Sequence, residues 1–198
     1  MKLTDKKKIS IISAAKDNFL LFGYDGVNMT KVATDAGVSK RTLYRHFASK
    51  ETLFYAILED VLDDALSYVS TPYSSEEPLL PQVEKIIERH LNMLSDNYYS
   101  GFYRMYLPRA LYSKDDRERF QKSLTEWPSH TWLKAAINDQ RIQALNVEIL
   151  DAHLTAMIQT LVFWPNLING ETKVSANELA ELIKSTAKDF VDKFGLRD

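Results

Sequence analysis

The sequence contains no cysteine among its 198 residues. This absence excludes a disulfide framework, a thiolate metal site and a catalytic cysteine. No stretch reaches the roughly eighteen apolar residues that a membrane-spanning helix needs, so we expect no membrane partner. The apolar stretch near the start is interrupted by Ser10, Ser13 and Lys16, which argues against a secretory signal peptide. Together these features are typical of a cytoplasmic protein.

The sequence is also poor in the motifs of enzyme active sites. It has no glycine-rich phosphate loop and no nucleophile elbow. The paired acids at positions 84 and 88, and at 115 and 116, are interpreted as solvated helix positions. We therefore expect no catalytic residue, no cofactor and no metal, and an all-helical enzyme is the weaker hypothesis. The four histidines show no paired metal-ligand spacing: His46, His90, His130 and His153.

Positive charge is concentrated at the N-terminal end of the chain. The net charge of the whole chain is -2, but residues 1–50 contain ten Lys and Arg and four Asp, a net charge of +6 that leaves -8 for the remainder. Such a division indicates that one end contacts a polyanion and the remainder does not. The alternative is a solvated, lysine-rich helix start.

Apolar residues at helical spacing predict an all-α chain of about nine helices, without a convincing strand pattern. Three prolines between residues 72 and 81 predict a loop. The last helix has the clearest start, because Ser175 and Glu178 form a capping box before an apolar stripe that Gly195 ends. The expected helices span about residues 5–22, 29–36, 40–47, 50–69, 82–95, 99–112, 115–138, 147–168 and 176–194, with kinks or interruptions at Pro108 and Pro128.

Two short helices joined by a tight turn lie within the first fifty residues. Asn28 is expected to cap the first, and Gly37 to end it, because the left-handed conformation is most accessible to glycine. Ser39 caps the second short helix, and Ser49 caps the longer helix after it. This order predicts a helix-turn-helix, in which the second helix enters the DNA major groove. A first helix that Gly23 stops precedes them, with an apolar stripe of Ile12, Ala15, Phe19 and Phe22.

The second short helix has a face rich in hydrogen-bond donors. Val38, Leu43 and Phe47 are the apolar residues that can hold it against the rest of the module. The remaining side chains include three cations and an imidazole but no acid, which suits phosphate oxygens and purine edges. These side chains are Lys40, Arg41, Thr42, Tyr44, Arg45 and His46.

The helix caps, the glycine turn and the pattern of aromatic residues all occur between Ile11 and Phe54, over about a quarter of the chain. They are carried by Ile12, Ala15, Phe19, Gly23-Tyr24, Val32-Ala33, Ala36-Gly37-Val38-Ser39-Lys40, Thr42-Leu43-Tyr44, His46-Phe47 and Ser49-Lys50-Glu51. This stretch resembles the DNA-binding domain of the TetR/AcrR family of transcriptional regulators. The resemblance implies a helix-turn-helix DNA-binding domain over residues 1–50 and a helical effector-binding and dimerisation domain over residues 51–198.

The resemblance also implies individual DNA contacts. Tyr44 and His46 fall where family members touch mostly phosphates, and Lys50 falls on a phosphate clamp. Arg41 stands where the family often has a small residue, so we expect it to make a base contact particular to this protein, with Arg45 as the second. The alternatives are a partly buried core position for Tyr44 and a local hydrogen bond for His46. The full predicted set is Asn28, Ser39, Lys40, Arg41, Thr42, Tyr44, Arg45, His46 and Lys50.

Aromatic residues are dense between residues 98 and 132. The resemblance implies an effector pocket in this body, and aromatic cavities with a few polar groups suit a small lipophilic or aromatic effector. For any single aromatic residue, a place in the core is the alternative. The pocket is predicted at Phe102, Tyr103, Tyr106, Trp127, Trp132 and His153.

Apolar stripes on the last two helices are broad enough to suggest cover from a second chain. The resemblance implies a homodimer through these helices, and the alternative is that the stripes face their own domain. The residues concerned are Leu150, Leu154, Met157, Ile158, Leu161 and Val162, followed by Leu179, Leu182, Ile183, Ala187, Phe190 and Val191.

The main hypothesis is a ligand-responsive repressor that binds a palindromic operator in double-stranded DNA as a dimer. The second hypothesis is an architectural or division-linked DNA-binding factor on the same fold, with no small-molecule effector.

Overall fold

The computed structural model describes residues 3–125, 127–172 and 174–196, with the side chains of all of these except residues 3–4 and 120–125. Apart from one antiparallel bridge between Ile142 and Gly195, the regular elements of this part of the chain are helices, which confirms the all-α class. They are α1 (Leu3–Gly26), α2 (Met29–Asp35), α3 (Lys40–His46), α4 (Lys50–Val69), α5 (Leu79–Ser95), α6 (Asn97–Tyr112), α7 (Lys114–Thr125), α8 (Pro128–Asn138), α9 (Val147–Ile158), a π-helical turn (Gln159–Phe163), α10 (Trp164–Asn169) and α11 (Ala176–Phe194).

Two compact units divide the chain, Met1–Asp63 and Asp64–Asp198. The division falls within α4 rather than at its start. The functional boundary after residue 50 stays a prediction.

An aromatic cluster forms the centre of the first unit. The ring centroid of Phe19 lies 5.2 Å from that of Phe54, and Tyr24 meets Phe54 edge-on at 5.0 Å. The helical path breaks at Gly23 (φ 67°, ψ 172°), which confirms the predicted stop. Phe22, expected to face inward, is 44% exposed. The reason is that the buried row of α1 recurs every four residues through Ile11, Ala15 and Phe19.

The turn between α2 and α3 has the geometry that its sequence predicts. Gly37 adopts φ 66°, in the left-handed region. The Val38 amide then donates to the Ala33 carbonyl at 2.9 Å, which closes the end of α2. The caps predicted at Asn28 and Ser39 both form, each side-chain oxygen accepting a backbone N–H of the first turn.

The second unit has an apolar core built mainly from α5, α8, α9 and α11. Within it the Gln82 side chain accepts a hydrogen bond from the Trp132 indole at 3.2 Å and from the Ser74 amide at 2.9 Å, so it fixes the loop before α5 to the core. Pro81, expected in that loop, lies in the first turn of α5, where a missing amide costs no intrahelical bond. The buried core residues are Leu79, Val83, Ile86, Ile87, Leu91, Trp132, Leu133, Ala136, Ile142, Leu150, Leu154, Ile158, Val162, Ala187, Phe190 and Phe194.

Prolines affect the helices of this unit in different ways. Pro108 lies inside α6, which continues through it, whereas Pro128 begins α8 and so interrupts the helix expected over residues 115–138. Pro165 follows the π-helical turn. It cannot donate to the carbonyl four residues earlier, and that carbonyl, of Leu161, accepts from the Thr172 hydroxyl at 3.0 Å.

The last helix begins as predicted. The Ser175 hydroxyl accepts from the Glu178 amide, and the Glu178 carboxylate accepts from the Ser175 amide at 2.8 Å, which confirms the capping box. The Ser175 hydroxyl also donates to the Glu178 carboxylate at 2.6 Å. That hydrogen bond, followed by the one from the Ser175 amide, holds the pKa of Glu178 below its ordinary value. Gly195 is the C-cap residue of α11, as expected.

The predicted apolar stripes of the last two helices mostly face their own domain. That was the alternative interpretation, and it holds for the six residues that are buried in the core: Leu150, Leu154, Ile158, Val162, Ala187 and Phe190. Another five are half-buried: Leu161, Leu179, Leu182, Ile183 and Val191. Met157 alone of the twelve is exposed.

Gly37→Ala should lower the free energy of unfolding by about 1–2 kcal/mol, because a residue with a Cβ is strained in the left-handed region. The added Cβ would meet no atom within 4 Å, so the loss isolates the backbone conformation. Urea denaturation followed by circular dichroism measures it. Gly37→Asn is the matched control, since asparagine tolerates this region better; an equal loss in both variants would contradict the explanation.

Candidate nucleic-acid interface

The orientation of α3 is set by its apolar side. Leu43 is fully buried, and Phe47 at the C-cap is also buried. Lys40, Arg41 and Arg45 are exposed. The seven residues of α3 include no acid, so the exposed face offers cations and donors without a competing carboxylate. Such a face can bind a polyanion.

Arg41 and Arg45 are one helical turn apart, so their guanidinium groups project from the same side of α3. A guanidinium presents a planar fork of donors that matches the O6 and N7 edge of guanine. On the neighbouring row, the Lys40 ammonium lies 6.0 Å from the ring centroid of Tyr44. Tyr44 is 41% exposed, unlike the core tyrosine weighed as its alternative.

Two of the predicted DNA-binding residues, Asn28 and Ser39, also serve as helix caps. Asn28 Oδ1 accepts from the Thr30 amide at 2.8 Å, and its amide nitrogen is a donor. Ser39 Oγ accepts from the Thr42 amide at 3.1 Å and lies 2.9 Å from the Thr42 hydroxyl. These contacts cap the N-termini of α2 and α3, and both cap residues are exposed at the surface of the unit, where helix ends favour anions.

His46 and Lys50 make less direct contributions. The His46 ring is half-buried, and its Nε2 is buried with no hydrogen-bond partner in the described part of the chain. A phosphate contact by His46 would therefore use Nδ1 or need a rotation of the ring. The Lys50 ammonium donates to the carbonyls of Tyr24 at 2.8 Å and Asp25 at 3.2 Å, and lies 4.9 Å from the Tyr24 ring centroid. It ties the start of α4 to the end of α1.

A further polar contact between α1 and α2 could not be predicted from the sequence. The buried Asn18 donates to Asp35 at 2.8 Å, and Lys31 pairs with Asp35 at 3.0 Å. The hydrogen bond from Asn18, followed by that from Lys31, holds the pKa of Asp35 below its ordinary value. The four-residue spacing of Lys31 and Asp35 is visible in the sequence, but the long-range partner Asn18 is not.

The six predicted pocket residues contact different neighbours. Trp132 packs in the core against Tyr73, with ring centroids 5.6 Å apart, and Phe102 is buried against Tyr98 at 5.4 Å. His153 is exposed and its ring centroid lies 4.8 Å from that of Phe194.

The remaining three predicted pocket residues are half-buried. The Tyr106 hydroxyl donates to the Asp116 carbonyl at 2.8 Å, and Tyr103 meets Phe163 edge-on at 5.4 Å. Burial raises the pKa of Tyr103 to about 12. Trp127 lies 5.5 Å from the ring of His90. The predicted set therefore spans several contact groups, and its role in ligand binding stays a prediction.

The described residues contain neither a candidate membrane-spanning helix nor a candidate metal-binding group. None of their helices combines the length and the apolar character needed to cross a membrane. No group of three or more His, Cys, Asp or Glu among them could hold a metal ion.

Family models decide the relationship of the chain to known proteins. One, described as bacterial regulatory proteins of the tetR family, matches residues 11–57. Another, described as the C-terminal domain of AefR-like transcriptional repressors, matches residues 81–195, more than half of the chain. The chain belongs to the TetR family. The resemblance carried by the N-terminal caps and turn is confirmed.

Individual relatives and solved structures agree with the family models. The HTH-type transcriptional regulator RutR of Escherichia coli (strain K12) is 47% identical over 57 residues, which are 29% of this chain and only 27% of RutR. A solved structure from Mesorhizobium loti MAFF303099, assigned to the same family, is 25% identical with a TM-score of 0.84, over 99% of this chain and 100% of that one. The regulator FadR from Bacillus subtilis, solved in complex with stearoyl-CoA, shares the fold at 19% identity and a TM-score of 0.67, over 92% and 97% of the chains.

Membership of the TetR family makes this protein a DNA-binding transcriptional regulator and not an enzyme. The helix-turn-helix predicted within the first fifty residues is confirmed by the matched segment. Which of its side chains touch DNA stays a prediction.

Lys50→Met should destabilise the first unit by about 1–2 kcal/mol, because hydrogen bonds to a charged group are lost while the apolar stem is kept. Urea denaturation of the full chain measures the change. Lys40→Met is the matched control, since the Lys40 side chain is exposed on α3. Equal stability of the two variants would show that the Lys50 tie contributes nothing.

Proposed function

We propose that this TetR-family regulator is a ligand-responsive repressor that binds a palindromic operator as a homodimer. The observation that carries the DNA-binding part is the exposed, acid-free face of α3. The repressor role is supported by the match of residues 81–195 to the C-terminal domain of AefR-like repressors.

Within the proposed DNA-binding domain, residues 1–50, the side chains have different roles. Arg41 and Arg45 read base edges in the major groove, where a bidentate contact to guanine is worth about 1–3 kcal/mol of discrimination. Phosphate contacts position the domain without reading sequence. These come from the remaining predicted residues: Asn28, Ser39, Lys40, Thr42, Tyr44, His46 and Lys50.

The proposed homodimer pairs through an apolar stripe on the outer side of α9 and α10. Four large side chains there are exposed at roughly helical spacing: Ile149, Met157, Trp164 and Ile168. A stripe of this kind on a helix whose opposite side is already packed suits a partner of the same kind. Pairing sets two reading helices on one side of the DNA, with half-sites about 34–36 Å apart or a multiple of this.

The effector part of the proposal draws on the fold shared with FadR, whose structure holds stearoyl-CoA. A small molecule bound in the proposed effector domain, residues 51–198, would cause the protein to release DNA by favouring a state that binds the operator poorly. The second hypothesis, an architectural or division-linked DNA-binding factor with no effector, predicts that no compound changes the affinity for the operator.

Selection of bound DNA from a random pool tests the exposed face of α3, which we call the reading face. The unmodified chain should select a palindrome, and Arg41→Ala should bind the selected site more weakly and lose its preference at one position in each half-site. Lys40→Ala is the control, since loss of a phosphate contact weakens all sequences alike. If Arg41→Ala keeps the base preference of the unmodified chain, the base contact assigned to Arg41 is wrong. If the unmodified chain selects no consensus sequence, the proposal of a specific operator is wrong.

Charge placed on the stripe should separate the dimer. Ile168→Glu, at a side chain that is 76% exposed, should yield a monomer at micromolar concentration, measured by analytical ultracentrifugation. Leu111→Glu, on α6 and 64% exposed, should stay dimeric and so controls for the added acid. A dimeric Ile168→Glu, or a monomer in both variants, would contradict the assigned interface.

A further inference from the structure

A polar cluster lies between α5, α8 and α9 in the second unit. Asp151 Oδ1 accepts from the buried Ser129 hydroxyl at 2.6 Å, and Asp151 Oδ2 lies 3.7 Å from His130 Nε2. His90 is buried beside them, and its ring lies 5.5 Å from that of Trp127. We call these five residues, His90, Trp127, Ser129, His130 and Asp151, the Asp151 cluster. None was predicted as a ligand contact except Trp127.

The carboxylate of Asp151 remains available to a further donor. Its side chain is 18% exposed, and the 3.7 Å separation from His130 is longer than a hydrogen bond. Ser129 lies in the first turn of α8, so the carboxylate sits at the positive end of an eleven-residue helix.

His90 adds a second acceptor to the cluster. Its Nδ1 lies 2.8 Å from the Ile86 carbonyl, and because a carbonyl can only accept, Nδ1 carries the proton. Burial lowers the pKa of His90, against the opposing effects of that hydrogen bond and of Asp151. The ring is therefore neutral near pH 7, with a lone pair on Nε2.

Trp127 supplies an aromatic and apolar wall. It is the N-cap residue of α8, and besides His90 it packs against the apolar group of Ala65, Val69 and Met93. An aromatic face attracts cations and stacks on other rings. The cluster thus combines a carboxylate, a neutral acceptor and an indole, which together suit a cation with an apolar body.

We propose that the Asp151 cluster binds an organic cation, a protonated amine whose ammonium group contacts Asp151 and whose apolar body packs on Trp127. This inference rests on the proposed ligand responsiveness and names its chemistry. The second unit, residues 64–198, contains 19 Asp and Glu against 15 Lys and Arg, and this net charge of -4 favours a cation over an anion there. A fatty acyl carboxylate or phosphate would face the Asp151 carboxylate at close range.

Head-group comparison on the unmodified full chain tests the proposal. Phenethylamine, phenethyl alcohol and hydrocinnamate carry the same ring on different head groups, and binding is measured by isothermal titration calorimetry. The amine should bind at least about tenfold more tightly than the other two, because hydrogen bonds to a charged group are worth more than neutral ones. Equal or tighter binding of the alcohol or the acid, or no detectable amine binding at millimolar concentration, would overturn it.

Asp151→Asn keeps the shape of the side chain and removes its charge. It should weaken amine binding by about tenfold or more and remove the preference over the alcohol. Glu148→Gln, at the exposed first turn of α9, is the matched control and should bind the amine like the unmodified chain. If Asp151→Asn lowers the melting temperature but keeps the amine preference, the cluster is only a structural tie between α8 and α9, and the proposal is wrong.

Operator binding distinguishes this inference from the proposed function. Fluorescence anisotropy with the selected operator is measured with and without phenethylamine. If the chain binds its operator but does not bind the amine, the cation site is wrong and the DNA-binding function stands. If the chain binds the amine through Asp151 but shows no affinity for the operator, the cation site is supported and the proposed repressor function is wrong.

Discussion

A helix of seven residues does not persist in water by itself, and most of the side chains that we propose to contact DNA project from such a helix. The stability of α3 must therefore come from its surroundings. Burial of Leu43 anchors it, Ser39 caps its first turn, and the left-handed Gly37 sets the angle at which the chain enters it. The ties from Asn18 and Lys50 in turn hold the helices around it. The geometry of the reading face thus reflects the stability of the whole first unit.

The division of charge along the chain has consequences at both ends. The positive charge of residues 1–50 suits a polyanion such as DNA, whereas the acidic remainder is repelled by phosphates. The same acidity suits the proposed cationic ligand in the second unit. Under the proposed function, one asymmetry in the sequence therefore serves both recognition of DNA and selection of a cationic effector.

Features that depend on neighbours within about four residues could be predicted from the sequence. The caps at Asn28 and Ser175 and the turn at Gly37 are of this kind, since the residue type and its spacing carry the geometry. Features that depend on packing could not. The exposure of Phe22 follows from which row of α1 meets the core, and the Asp151 cluster joins residues from three helices that no local pattern connects.

The three tryptophans of the chain occupy three different environments. Trp132 is buried and donates to Gln82, Trp127 lies beside His90, and Trp164 is 46% exposed on the apolar stripe of α9 and α10. Indole emission responds to the polarity around the ring and to nearby polar groups. Each ring therefore reports a separate event: folding of the core, a change in the Asp151 cluster, or cover of the stripe. Replacing two of the three by phenylalanine isolates each signal, so this regulator carries its own spectroscopic probes.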